Sequence, residues 1–202
     1  MTTRRGAVSR RCKVCKINYK LCFCNDVYKV ENQNHVSIIM HKAERFLPSN
    51  TVNLLKLGLE NIDVTIRGGL GFKLEDEFQF IEGATSIYLF PSEDAEVLSQ
   101  ESLERLGAKK IQLIVPDGTW RQAKKIHRRE KLLADIPCFK LETGSPSIYE
   151  LRTQISEHGL STAEAVAHAM GVIEGEDVKE KLLKNVEIMN ERVMISRHSY
   201  PN

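Results

Sequence analysis

The stretch "LIVPDGTWRQAKK", residues 113–125, decides how this chain is read. An apolar run ends in proline. A carboxylate, a glycine, a hydroxyl and the only tryptophan then stand before a basic, helix-forming segment. A turn needs one capping side chain and the glycine; the remaining chemistry asks for a ligand. Thr119 with Gln122 three positions on has the form of a capping box, which closes the helix start and releases Asp117 for other work. If Asp117 is the cap instead, its carboxylate is structural, and the segment alone leaves both readings open. At about 100° per residue, Arg121, Lys124, Lys125, Arg128, Arg129 and Lys131 fall within one arc of about 160°, opposite Trp120, Ala123, Ile126 and Leu133. One helix face therefore enters a core, and the other presents a cationic stripe beside Asp117.

Outward from this motif, strands and helices alternate. Strands are expected at "VSIIM" (36–40), "VTIRG" (64–68), "TSIYLF" (85–90), "KIQLIV" (110–115) and "CFKLE" (138–142). Helices are expected at 50–60, 92–107, 119–133 and 161–173, the last opened by a capping box of Ser161 and Glu164, with a final amphipathic helix over about 177–193. This order predicts an α/β fold with a mostly parallel sheet covered on both faces. Ligands of such sheets sit outside the carboxyl ends of strands, where Asp117 to Trp120 fall. "YLFPSEDA" (88–95) repeats the plan, a strand ending in proline and then Ser92; if the two strands are neighbours, both loops line one crevice.

With 202 residues the chain is long enough for one well-buried domain and a small appendage. No apolar run nears the roughly 20 residues that span a bilayer, and the basic start lacks the apolar stretch of a secretory signal, so a cytoplasmic protein is expected, with no membrane and no obligate protein partner. The net charge is only +2, but its distribution is uneven. Residues 1–20 carry Arg4, Arg5, Arg10, Arg11, Lys13, Lys16 and Lys20 with no acid, while acids gather in "LEDEF" (74–78) and "EDAEVLSQESLE" (93–104). With the stripe after Asp117 this makes two basic patches, which suit a polyanion.

Four of the five cysteines also cluster at the start: Cys12, Cys15, Cys22 and Cys24. A C-x2-C pair and a C-x-C pair on a short stretch can close a tetrahedral zinc site. Four thiolates leave no open position, so the metal is expected to be structural. The polar "ENQNH" (31–35) marks a junction, giving a cysteine module over 1–30 and a main domain over 31–202. Cys138 reads as a small buried hydrophobe.

Taken together these residues resemble the DTW-domain family of tRNA-uridine aminocarboxypropyltransferases, whose D-x-T-W motif stands here as Asp117-Gly118-Thr119-Trp120. The resemblance spans nearly the whole chain: the leading cysteines, "HKAERFLPSNT" (41–51), "LFPSEDA" (89–95), the motif, and "YELRTQISEHGLSTAEAVA" (149–167). It implies a SPOUT-like α/β fold whose C-terminal part is tied in a trefoil knot. It further implies S-adenosylmethionine as donor and a tRNA uridine as acceptor, with transfer of 3-amino-3-carboxypropyl to N3 and release of methylthioadenosine.

On that resemblance Asp117 is the candidate base or orienting group, Thr119 a contact to the donor's carboxylate or amine, and Trp120 a stacking platform. Phe90, Pro91, Ser92, Pro116 and Leu141 would line the adenosine pocket, and Ser161 and Thr162, at a helix N-terminus, suit the donor's carboxylate. Asn50, Thr51 and Arg152 match family positions and are candidates for substrate contact, together with Arg121, Lys124, Lys125 and Arg128. Two other readings use the same residues: an S-adenosylmethionine-dependent RNA methyltransferase, and a non-catalytic zinc-ribbon RNA-binding protein.

Overall fold

The computed structural model describes residues 11–68, 73–142, 147–149 and 159–199. Its strands are β1 (His35–His41), β2 (Ile62–Arg67), β3 (Thr85–Leu89), β4 (Glu96–Val97), β5 (Ile111–Asp117) and β6 (Cys138–Lys140). The helices are α1 (Val52–Gly58), α2 (Leu74–Glu77), α3 (Gln100–Leu106), α4 (Trp120–Arg129), α5 (Thr162–Glu174) and α6 (Glu176–Ser199). The strands form one sheet in the order β2-β1-β5-β3-β6-β4, with every pairing parallel. β3 and β5 are neighbours, so the two proline-bearing loops do open side by side.

Alternation along the strands sorts the core into two layers, because successive side chains point to opposite faces. Val36, Ile38 and Met40 of β1, Ile87 and Leu89 of β3, and Leu113 and Val115 of β5 pack under α1, α5 and α6. Ile39, Tyr88 and Ile114 point the other way and meet α2 and α4 through Leu74, Ala123 and Ile126. A purely parallel sheet needs cover on both faces, which accounts for the near-continuous apolar runs.

Several expectations change in detail. The helix expected over 92–107 is only α3, with Ser99 as its cap, since residues 96–97 pair with β6 as the edge strand β4. The basic helix ends at Arg129, and Leu133 reaches the core from a separate short turn, Lys131–Leu133. Trp120, expected on the core side, is 45 % exposed because it occupies the first helical position, beyond the edge of the packed layer.

The polar stretch near residue 31 is firmly held. Asn32 is fully buried, donates to the carbonyls of Asn34 and Asn61, and accepts from the amides of Glu60 and Asn61. Ahead of it, Ile17, Phe23 and Val27 belong to the same apolar cluster as Leu182 and Val186 of α6. Asn185 of α6 clasps the backbone of Tyr28 from both sides. Gly58 makes room for that clasp, since a Cβ there would lie 3.1 Å from Asn185 Nδ2.

Candidate functional site

Asp117 is the last residue of β5 and is 1 % exposed. Thr119 closes α4 by accepting from the Gln122 amide, while the Gln122 side chain accepts from the Thr119 amide. The cap therefore does not consume Asp117. Gly118 between them is required by space: a Cβ there would sit 2.8 Å from Gln122 Oε1, in the side chain that completes the cap.

Instead, Asp117 gathers segments far apart in sequence. Asn50 Nδ2 donates to Oδ2 at 3.0 Å, and Thr162 Oγ1 donates to Oδ1 at 2.6 Å. Asn50 is itself fixed, because its Oδ1 accepts from the Val52 amide at 2.8 Å. Thr51 does not cap its own helix; its hydroxyl accepts from the Ala163 amide in the first turn of α5. Ser161 caps that helix through the Glu164 amide. Asp117 thus joins Glu164 as a carboxylate at the start of α5, a favourable location for negative charge.

Behind this cluster, Glu164 holds the neighbouring loop. Its carboxylate accepts from Ser147 Oγ and from the amides of Ile148, Tyr149 and Ser161. The Tyr149 hydroxyl donates to the Ser49 carbonyl, next to Asn50. Glu164 is recognisable in sequence as half of a capping box, but its hold on Ser147, Ile148 and Tyr149 is not.

The carboxyl ends of β5, β3 and β6 lie side by side and bring Pro116, Phe90, Pro91, Ser92 and Leu141 to one end of the sheet, near Ser161 and Thr162 of α5. Phe90 is buried, Pro91 is exposed, and Ser92, Pro116 and Leu141 are intermediate, so this rim is partly open. His127 of α4, which no sequence signal marks, stacks on Phe90 with ring centroids 4.4 Å apart. Trp120 meets Phe90 edge-on at 6.4 Å and is otherwise half-exposed.

His41 ends β1 beside this rim, and its Nδ1 accepts from the Ala43 amide, which puts the neutral ring's proton on Nε2. Burial, then Arg67, Lys125 and Lys42, hold its pKa below the ordinary imidazole value, with Asp117 opposing. Arg121, Lys124, Lys125, Arg128 and Arg129 are all exposed on α4, Lys131 is exposed on the short turn after it, and none is in an ion pair among the described residues. They line the outside of α4 and do not enter the Asp117 cluster. Arg152 lies outside the described residues.

The sulfurs of Cys12, Cys15, Cys22 and Cys24 all lie within 4.8 Å of one another. Cys12 to Cys24 and Cys15 to Cys22 are both 3.7 Å apart. A zinc–sulfur bond of about 2.3 Å gives a tetrahedron edge of about 3.8 Å, so the spacing fits that ion, whereas a disulfide needs about 2.05 Å. The Val14 amide donates to Cys12 Sγ, and Lys16 turns back with φ of 65°. Burial and the neighbouring thiols push Cys15 up to about 11 and Cys24 higher still. Burial also opposes ionisation of Cys12, but hydrogen bonds from the Val14 and Cys15 amides and from the Cys15 and Cys22 thiols together outweigh it and bring that thiol to about 7. Such a cluster resists carrying four charges alone and suits a divalent cation. Cys138 is apart, 3.6 Å from Ser92 Oγ, with its thiol pushed up by burial.

Comparison with known proteins places these features in context. The family model for the DTW domain matches residues 9–194. The tRNA-uridine aminocarboxypropyltransferase 2 of Drosophila melanogaster is 29 % identical over 170 residues, covering 81 % of this chain and 66 % of that protein. The mouse protein of the same name is 28 % identical over 184 residues, covering 88 % of this chain and 61 % of its own length. The chain thus spans about three-fifths to two-thirds of these relatives. Among solved structures, the SAM-dependent rRNA:acp-transferase Tsr3 from Vulcanisaeta distributa superposes with a TM-score of 0.51 at 15 % identity, over 82 % of this chain and 80 % of that one, a likeness of fold.

Proposed function

The chain belongs to the DTW-domain family, and from that premise we propose that it transfers the 3-amino-3-carboxypropyl group of S-adenosylmethionine to N3 of a tRNA uridine. The observation that carries the reading is the convergence of β5, the 50–51 turn and the start of α5 on one buried carboxylate at the mouth of a parallel sheet. Such a constellation is built at a cost, because a buried charge must be held by donors from rigid elements. The curated relatives carry the matching activity in their names.

In the proposed reaction the carbon–sulfur bond to the aminocarboxypropyl group breaks as a bond from uridine N3 forms, methylthioadenosine leaves, and the N3 proton goes to a base. Asp117 is that base or holds the imide for it, with its oxygens oriented by donors from Asn50 and Thr162. Because three carbons on a sulfonium are activated alike, positioning selects which one reacts. Phe90, Pro91, Ser92, Pro116 and Leu141 line the adenosine side, and Ser161 and Thr162 the amino-acid side. Thr119, whose hydroxyl accepts in the cap and keeps its proton to donate, contacts the donor's carboxylate or amine, and the exposed Trp120 stacks on a base. Asn50 and Thr51 set the geometry of Asp117 and of α5. Arg121, Lys124, Lys125, Arg128 and Arg152 grip tRNA phosphates.

Zinc on Cys12, Cys15, Cys22 and Cys24 holds the 1–30 module, which adds basic surface for RNA to the 31–202 transferase domain. The setting is cytoplasmic, in keeping with the lack of any helix among the described residues long and apolar enough to cross a membrane. A SPOUT-like trefoil knot belongs to the same reading. α5, which follows β6 in the chain, packs back against β5, in keeping with that reading.

The product identifies the reaction. Incubation with S-adenosylmethionine and tRNA is expected to yield methylthioadenosine and a tRNA nucleoside heavier by one aminocarboxypropyl group. S-adenosylhomocysteine and a methylated nucleoside would replace this reading with methyl transfer.

A further inference from the structure

Two strands away from Asp117, a separate cleft opens at the end of β2, with a volume of about 370 Å³. Its place follows from the register. Arg67 of β2 pairs with His41 of β1, and Met40 of β1 pairs with Asp117 of β5. Two strand spacings put the cleft about 10 Å from Asp117 along the same end of the sheet.

The floor of the cleft is a mostly buried ion pair, Arg67 Nε to Glu130 Oε1 at 2.6 Å, which ties the end of α4 to β2. Above it stand Lys73, Lys125 and Arg129, exposed and in no ion pair among the described residues, with Glu75 as the other acid of the lining. The lining therefore keeps two positive charges in excess. Lys125 and Arg129 also belong to the cationic stripe of α4, so cleft and stripe form one continuous basic track. Arg67 and Lys125 also act on His41 at the rim of the candidate active site, so the two places share one electrostatic field.

We propose that this cleft is a phosphate seat for the substrate RNA, in which Lys73, Lys125 and Arg129 hold a backbone phosphate flanking the nucleotide whose base is presented to Asp117. The proposal rests on the tRNA reading above and extends the footprint from α4 round to the β2 edge. Charged side chains make up most of the lining, with Leu74 its one large apolar residue, and the excess of positive charge selects an anion, while a run of cations selects a polyanion over a lone ion. The Arg67–Glu130 pair is a support: it fixes the wall from which Arg129 projects.

The test is tRNA binding measured between 50 and 200 mM salt for the wild-type chain, for Lys73→Gln/Arg129→Gln, and for Lys109→Gln/Lys110→Gln at the opposite end of the sheet, with circular dichroism to verify folding. Removing one phosphate-neutralising cation reduces the slope of log affinity against log salt by roughly 0.7–0.9. The cleft variant is expected to bind about tenfold or more weakly at the lower salt, with a slope smaller by roughly 1 to 2. The control variant is expected to keep the wild-type slope. Equal affinity and slope in the cleft variant, with wild-type binding intact, would overturn the cleft while leaving the tRNA reading standing. Equal losses in both variants would reduce the effect to net charge and overturn it too. Saturable binding of inorganic phosphate that the cleft variant loses, with tRNA binding unaltered, would assign the cleft to a small anion instead. No tRNA binding by the wild type would remove both the cleft and the reading beneath it.

Discussion

Asp117 and His41 stand on adjacent strands, β5 and β1, at one end of the sheet. Asn50 and Thr162 donate to Asp117, and His41 is half-ringed by Arg67, Lys125 and Lys42. Burial and these cations disfavour the imidazolium, and His168 on α5 is shifted down by burial and then Lys179. The unfolded chain therefore takes up protons more readily at both positions. Their contribution to stability is complete above the ordinary value of 6.5 and is lost as pH falls through the lower folded values. Denaturant midpoints are expected to drop between pH 7.5 and 5.5, and His41→Asn, which can still cap Ala43, is expected to flatten part of that drop. A pH-independent midpoint over that window would contradict the placement of these rings. In the sequence, the capping pattern of Thr119 and Gln122 offers to release Asp117 from the helix start but leaves Asp117 as the alternative cap, and the structure takes the first. The partners of Asp117 are not legible in the sequence, because Asn50 is 67 positions away and no local pattern reports such a contact.

The elements whose signal is periodic read well from sequence, and those defined by a neighbour do not. Strands β1, β3 and β5 and helix α5 are long enough for alternation or a capping box to mark them. β4 has two residues, Glu96 and Val97, and is a strand only because β6 lies beside it, so its surrounding acids and leucine read as helix. The cysteine segment is the reverse case, since its spacing is plain but its depth in the core is not. Ile17, Phe23 and Val27 pack with α6, so the cysteine segment is part of the main core as well as a basic surface. One zinc per chain is expected by elemental analysis, and a strong chelator is expected to lower the melting temperature and loosen the Tyr28–Asn185 clasp seen by hydrogen exchange. Cys22→Ser is expected to do the same without chelator. Metal-free chain with unchanged melting would contradict a structural zinc.

At the scale of the whole molecule, six parallel strands with helices on both faces place every strand's carboxyl end on one side, and the chemistry-bearing residues gather there. Asp117, the Phe90–Leu141 rim and the α4 stripe occupy one end of the sheet, and the cysteine module packs against α6 behind it. Composition alone, with a net charge of +2, gives no hint of that polarity, which arises only when the strand order is known. What this arrangement claims is that the buried carboxylate takes part in the transfer itself and is more than a brace for α5.

Asp117→Asn tests that claim most directly, because it keeps the size of the side chain and removes its charge. Methylthioadenosine formation from S-adenosylmethionine and tRNA should be followed alongside circular dichroism and donor binding by calorimetry. The variant is expected to fold, still bind the donor and turn over at least about a hundredfold more slowly. Turnover at the wild-type rate in the folded variant would contradict that claim.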